Sequence, residues 1–384
     1  MKTVRLGIIG MGNIGRFHAG NVRAGRVSQC ELVAICSRQP AVRADFKTAA
    51  AFDDADQLIH SGLVDAVLIA TPHWQHSEIG MAALAAGLHV MVEKPVAAHK
   101  ADAERFITAH QKNSRCVFSV MSQLRAEPRY QAIRELLQSG ALGSLVRVSW
   151  INTDWFRPEA YYQSSAWRAT WRGEGGGVLL NQSLHNLDLL QWLVGMPARV
   201  RGFCHFGRFH DIEVEDDVTA CLEWADGATG TFVASTGEAP GTNRLEISGT
   251  CGRLRLEEDK LWLTENDCDA VAFSRSTDQA FGRPGATTRE VPFANAPQPH
   301  AVLLQNFVNA ILHGEPLMAP GEDGIHAVEL ANAIVYSSLQ DRTVELPLDA
   351  AAWAAQLDRL TAGSTAAKKV GRPVAGDVAR SFKR

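Results

Sequence analysis

Residues 4–15 read Val4-Arg5-Leu6-Gly7-Ile8-Ile9-Gly10-Met11-Gly12-Asn13-Ile14-Gly15, and the fold turns on how they are read. A short apolar run ends in the spacing Gly-x-Gly-x-x-Gly, and a helical pattern opens at Asn13. Each glycine has its own task. One makes a tight turn, one lets the backbone approach a pyrophosphate, and one lets helix and strand pack closely. The helix start then offers free N–H groups and the positive end of its dipole to a phosphate. The pattern alone is weak, but here it joins strand, turn and helix within a βαβ unit. Gly10, Gly12, Asn13, Ile14 and Gly15 are therefore candidates for holding a dinucleotide.

Four further apolar runs follow at residues 31–36, 64–70, 89–92 and 116–121, with helical patterns between them. Continuous apolar strands separated by helices predict a parallel sheet covered on both faces, with right-handed crossovers. The pattern changes near residue 124. A helix over 130–140 leads into Val146–Phe156, and a glycine-rich helix is expected near 175–194. Short runs then alternate with turn pairs such as Asp226-Gly227, which predicts antiparallel sheet. Helical patterns at 300–314 and 322–340 follow.

The second strand bears on the cofactor. A site for NAD usually ends that strand with an acid that binds the ribose 2′-hydroxyl. Here the strand ends Ile35-Cys36-Ser37-Arg38, and Glu31 precedes it in the wrong place. Ser37 and Arg38 suit a 2′-phosphate, the arginine through charge-assisted hydrogen bonds. NADP is expected over NAD.

The chain has 384 residues, 46% hydrophobic and 21% charged, which suits two to three globular domains. The net charge of −4 hides a basic tail: residues 364–384 hold six basic residues and one acid. An acidic body with a short basic end argues against a nucleic-acid partner. Seven cysteines, an odd count without metal or redox spacing, read as reduced core residues, Cys36 and Cys221 among them. The N-terminus lacks the layout of a signal peptide, and no apolar stretch reaches the ~18–20 residues of a membrane span. A cytoplasmic protein with no membrane partner is expected.

Two later segments join the glycine turn. Thr71-Pro72-His73-Trp74-Gln75-His76 and Glu93-Lys94-Pro95 each follow a strand of the first sheet, at the edge where ligands bind. Gly175-Gly176-Gly177-Val178-Leu179-Leu180-Asn181-Gln182-Ser183-Leu184-His185-Asn186-Leu187-Asp188 comes later. In this order the segments resemble the Gfo/Idh/MocA family of NAD(P)-dependent oxidoreductases, which includes inositol and sugar dehydrogenases. The resemblance runs from the first strand to about residue 348 and takes in Gly314-Glu315-Pro316 and a strand over Val344–Pro347.

It implies an α/β fold: a Rossmann domain with a doubly wound parallel sheet over 1–123, then an α/β domain over 124–362 with a large, mainly antiparallel open sheet. That sheet would join copies into a homodimer or homotetramer, and residues 363–384 would be a basic, disordered tail. The implied reaction is hydride transfer between the nicotinamide C4 and a secondary alcohol or ketone of a sugar, inositol or related polyol.

By the same resemblance Lys94 and His185 are the catalytic pair. A lysine there stabilises a developing alkoxide and helps move its proton, and an imidazole accepts and returns a proton near neutral pH. A cis bond is expected before Pro95. Asp188, on the same helix face as His185, would orient the imidazole or meet the substrate. Many members carry an aspartate four residues before the histidine, where this chain has Asn181. An asparagine can hydrogen-bond a sugar hydroxyl but carries no transferable proton, so Asn181 is expected to orient the substrate. Thr71, Pro72, His73, His76, Glu93 and Lys94 are the expected contacts to the cofactor, with Trp74 and His76 on the nicotinamide side. His73 and His76 have no third ligand nearby, and no metal is expected.

Residues 150–172 hold four tryptophans and two tyrosines among Arg157, Arg168 and Arg172. Aromatic faces cover the C–H faces of sugars, while arginine and tyrosine bond their hydroxyls. Trp155, Arg157, Tyr161, Trp167 and Arg168 are therefore expected at the substrate. The same composition suits an interface between subunits, and both readings stay open. The arginines also permit an acidic or phosphorylated sugar. Two further activities fit the resemblance: an NAD-dependent glycosidase that oxidises its sugar transiently and eliminates the aglycone, and a non-catalytic cofactor-binding sensor. Retention of Lys94 and His185 argues against the sensor.

Overall fold

A computed structural model of the chain describes residues 2–295 and 298–364. Of the tail expected over 363–384, Gly363 ends a helix, and residues 365–384 lie outside the described residues. The first third runs β1 (Val4–Ile9), α1 (Asn13–Arg23), β2 (Cys30–Cys36), α2 (Pro40–Ala44), β3 (Ala50–Phe52), α3 (Ala55–Ile59), β4 (Ala66–Ile69), α4 (His76–Ala85), β5 (His89–Val92), α5 (Lys100–Lys112) and β6 (Phe118–Val120). Its six strands lie in the order β3-β2-β1-β4-β5-β6, and every pairing is parallel. All four residues of β4 are buried, as are Val90, Met91 and Val92 of β5. Helices cover both faces, which is why these strands read as unbroken apolar runs. The strand order reverses between β1 and β4, and the crevice outside their carboxyl ends is where such sheets bind ligands.

The chain continues through α6 (Pro128–Gln138), β7 (Leu145–Asn152), α7 (Glu159–Tyr162), α8 (Leu184–Val194), β8 (Arg199–Phe206), β9 (Glu215–Glu223), β10 (Thr229–Ser235), β11 (Asn243–Gly249), β12 (Gly252–Glu257), β13 (Lys260–Asn266), α9 (Ala270–Ser276), β14 (Ala286–Val291), α10 (Pro299–His313), α11 (Gly324–Leu339), β15 (Val344–Glu345) and α12 (Ala350–Gly363). Nine strands form the second sheet in the order β14-β13-β12-β11-β7-β10-β9-β8-β15. Only the β7–β10 pairing is parallel. Along β9, Val218, Ala220 and Leu222 are buried while Thr219 and Cys221 are exposed. One face thus carries α11, with α8 packed beside it, and the other, with Arg147, Phe203, Cys221 and Thr231, is exposed.

Three expectations change. The helix expected over 175–194 begins only at Leu184, because the glycines before it form turns, with Gly175 at φ +84°. Cys221 is exposed on the open face and Cys268 is exposed as well, so the seven free thiols are not all core residues. The strand expected over Val344–Pro347 is only the two residues of β15.

The last helices belong to both sheets. α11 packs on β8 and α8 on one side and on α5 on the other. Buried Lys100 of α5 donates to the Leu348 carbonyl at 2.6 Å and lies 3.2 Å from the Glu329 carboxylate of α11. Ser119 of β6 donates to the Ala319 carbonyl at 2.8 Å.

Candidate functional site

The glycine turn is built as its spacing requires. Gly10 has φ +97°, and a Cβ there would meet the Ala70 carbonyl oxygen at 2.5 Å. A Cβ on Gly15 would meet the Gly10 carbonyl oxygen at 2.0 Å, so α1 and β1 approach only because Gly15 has no side chain. Gly12 differs. A Cβ there meets nothing within 4 Å, and Gly12 caps α1 without a side-chain hydrogen bond. The exposed start of α1, through Gly12 and Asn13, keeps free donors and open space, with Ile14 partly buried beside it. Across the crevice, the buried Thr71 hydroxyl has no partner among the described residues. Open space, free helix donors and an unpartnered hydroxyl fit a dinucleotide.

At the far end of this edge, Ser37 follows β2 and Arg38 is exposed. Arg43 donates to the Ser37 carbonyl at 2.6 Å. β2 and β3 pair with Cys36 opposite Phe52, which sets exposed Asp53 beside Ser37. Burial pushes the Cys36 thiol up to about 11, and Asp54 and Asp53 add to that shift.

Glu93-Lys94-Pro95 follows β5, and the Lys94–Pro95 bond is cis, as expected. Glu93 is buried, with its carboxylate 2.6 Å from Nε2 of His18 in α1. Burial pushes its carboxyl up, but the hydrogen bond and charge of His18 outweigh that, and it sits below the usual range. Lys94 reaches the other way and donates to the Asn181 main-chain carbonyl at 2.9 Å. Burial lowers the Lys94 ammonium to about 8, opposed by Glu93 and Glu174. A lysine poised there exchanges its proton near neutral pH.

His73 and His76 serve the frame. His76 Nδ1 lies 2.7 Å from the Pro95 carbonyl and Nε2 lies 2.8 Å from the Thr71 carbonyl, so both ring nitrogens face the backbone. Burial, opposed by those carbonyls, lowers its pKa. His73 Nδ1 faces the Glu174 carbonyl at 3.1 Å, and burial holds this ring well below its usual range. Pro72 leads into the short turn carrying both rings, and Trp74 lies edge-on to His99 at 5.7 Å.

His185 is the second residue of α8. Its ring stacks on Trp155 at 6.3 Å and 24°, and its Nε2 lies 3.5 Å from the Gln123 amide nitrogen. Trp155 is fixed in turn by donating to Asn152 Oδ1 at 2.7 Å. Asp188 has another partner than expected. Arg125, fully buried, donates to its two oxygens at 2.8 and 2.6 Å, so Asp188 is held in a buried ion pair.

Asn181 sits in the turn before α8, its side-chain amide donating to the Glu174 carboxylate. The aromatic segment folds over the same place. The Tyr161 hydroxyl accepts from Arg168 at 2.8 Å and from Gln182 at 3.1 Å. Arg157 lies 5.2 Å and Arg168 4.6 Å from the centre of the Tyr161 ring. Trp167 meets His73 edge-on at 5.7 Å. Arg157 and Arg168 both act on the charge of Lys94.

The structure thus brings together Lys94, Asn181, Tyr161, Trp167, Arg157 and Arg168, and sets Trp155 against His185. Four residues of this region escape a reading of the sequence: His18, Gln123, Arg125 and Glu174. Gln123 could have been found, since it follows the last parallel strand at the ligand-binding edge. Glu174 precedes the three glycines but has no motif of its own.

Residues 4–121 match the oxidoreductase family with an NAD-binding Rossmann fold, and residues 130–255 match the GFO/IDH/MocA C-terminal domain. The myo-inositol 2-dehydrogenase of Thermotoga maritima is 25% identical over 356 residues, covering 89% of this chain and 98% of that one. The 1,5-anhydro-D-fructose reductase of Ensifer adhaerens is 25% identical over 349 residues, with 89% and 98% covered. Among solved structures, the WlbA dehydrogenase from Bordetella pertussis in complex with NADH and UDP-GlcNAcA superposes with a TM-score of 0.75 at 27% identity, covering 91% of this chain and 100% of that one. Among the described residues no helix is long and apolar enough to cross a membrane.

Proposed function

The chain belongs to the GFO/IDH/MocA family of NAD-binding oxidoreductases, and from that premise we infer that it interconverts a secondary alcohol and a ketone on a sugar, inositol or related polyol. A nicotinamide cofactor, when bound, supplies or accepts the hydride at C4. The observation that carries the reading is Lys94, held at the sheet edge by the Asn181 carbonyl, with its ammonium lowered to about 8. Lys94 stabilises negative charge on the substrate oxygen and moves its proton, and His185, propped by Trp155, is the second acid/base. The start of α1 at Gly12–Ile14 holds the pyrophosphate, and Thr71 offers its hydroxyl to the same ligand. Trp155, Tyr161 and Trp167 cover the apolar side of the substrate, and Asn181 orients one of its hydroxyls. Arg157 and Arg168 favour a substrate that carries a carboxylate.

At the adenosine end Ser37 and Arg38 support NADP over NAD, and exposed Asp53 is the opposing charge. The NADP:NAD ratio of kcat/KM measures which prevails, and Arg38→Ala is expected to lower it. The open sheet face is the surface through which copies associate, as a dimer or tetramer.

The test is a screen of the full chain against myo-inositol, aldoses, anhydro-sugars and uronic acids with both cofactors, read by nicotinamide absorbance. Turnover is expected with at least one polyol, falling about 10²–10⁴-fold in Lys94→Met and His185→Ala. No turnover with any of them, or full activity in both variants, overturns the reading.

A further inference from the structure

We propose that Glu174 is the positioning carboxylate of this site: it fixes Asn181, and through it the carbonyl that holds Lys94. The inference deepens the function proposed above and rests on it.

Glu174 is 2% exposed and its two oxygens have different duties. Oε1 accepts from the Asn181 side-chain amide. Oε2 accepts from the Ala169 N–H at 2.5 Å. Ala169 has φ +52°, a conformation that alanine rarely takes, and there its N–H points at the carboxylate. With its nitrogen given to Glu174, Asn181 keeps a side-chain oxygen that has no partner among the described residues. That oxygen is an acceptor for a substrate hydroxyl, and its orientation depends on Glu174 being the acceptor on the other side. The main-chain oxygen of the same residue holds Lys94. One carboxylate therefore sets both groups that Asn181 contributes.

The charges point the same way. Two negative groups act on Lys94, Glu93 and Glu174, and Glu93 is already paired with His18. Arg168 and Arg157 push the lysine down. His73, His76 and His300, the rings that also feel Lys94, are all lowered by burial and are neutral near pH 7. Burial pushes Glu174 up, while Arg168, the Ala169 and Asn181 donors and Lys94 oppose it. Glu174 and Lys94 thus support each other's charge.

Glu174→Gln removes the charge and one acceptor. The amide can serve Ala169 or Asn181 but not both, so the Asn181 amide turns over and presents a donor. Asn181→Asp added to it restores the pattern: the new glutamine donates to the new carboxylate, and a negative charge returns one hydrogen bond away.

The experiment follows the Lys94 titration by NMR in the full chain labelled at lysine Cε, assigned with Lys94→Arg. The wild-type midpoint is expected near pH 8. In Glu174→Gln it is expected about one pH lower, and in the double variant E174Q/N181D back at the wild-type value. Turnover of myo-inositol is expected to fall at least about tenfold in Glu174→Gln and to recover in the double variant. An unchanged midpoint in Glu174→Gln overturns the proposal, as does a double variant whose midpoint stays low. If Glu174→Gln fails to fold, the double variant alone decides by the same criterion. A wild type that turns over no polyol counts against the proposed function only, because the titration needs no substrate.

Discussion

At the scale of single residues, the two glycines beside α1 make separable predictions. A methyl on Gly15 would be forced into the Gly10 carbonyl, so Gly15→Ala is expected to cost about 1–3 kcal/mol or more, read as a fall in Tm. A methyl on Gly12 meets only open space. Gly12→Ala is expected to change stability by less than about 0.5 kcal/mol. It should still weaken nicotinamide cofactor binding about tenfold or more, followed by fluorescence, because the methyl stands where the backbone must approach a pyrophosphate. Unchanged affinity in Gly12→Ala would remove the cofactor from this turn. The contrast separates a glycine needed for packing from one needed for a ligand, a distinction the spacing alone does not make.

At the scale of elements, the approach to α8 rests on Glu215. This buried carboxylate accepts from the Gly177 and Leu179 amides at 2.9 and 3.1 Å, while its second oxygen has no partner among the described residues. Burial raises its pKa from 4.5 to about 7. Between those values the folded state keeps a proton that the unfolded chain has lost, so its contribution to stability is lost as pH rises toward and through 7. Tm of Glu215→Gln relative to wild type is therefore expected to be higher at pH 8 than at pH 5; a difference independent of pH would refute this account. Helix α8 itself is pinned by Arg125 and Asp188. Asp188→Ala takes both oxygens away from one edge of a fully buried guanidinium and leaves it Asp323, 2.7 Å away, so it is expected to cost about 2–3 kcal/mol. A loss of kcat at unchanged Tm would instead restore Asp188 to the imidazole. These elements also mark what could be read in advance. β1, β4 and β5 are legible because strands buried on both faces are unbroken apolar runs, and β9 because its residues alternate. Val178–Leu180 imitates a helix, yet backbone turns at the glycines beside it govern. Arg125 has no signal because its partner Asp188 lies 63 positions away, and Glu174 has none because its near partners, the Ala169 N–H and the Asn181 amide, meet it only through turns that no motif marks.

At the scale of the whole molecule, thiol chemistry reports on assembly. Cys268 and Cys221 are exposed, and Cys221 lies with Arg147 and Arg201 on the open face. If copies join through that face, a thiol reagent is expected to label Cys268 of the native protein quickly and Cys221 slowly, with Cys221 speeding up on dilution. Equal rates at all concentrations would place the contact elsewhere. The order of strands has a further consequence, for how the chain is made. β7 is complete by Asn152, but its partners β10 and β11 begin only at Thr229 and Asn243. A growing chain must therefore carry the middle strand of its largest sheet, both edges bare, for more than seventy residues of synthesis. Contacts this distant slow folding, and unpaired edges invite association with other chains. Fragments ending between residues 152 and 229 should accordingly be the aggregating species in a series of C-terminal truncations.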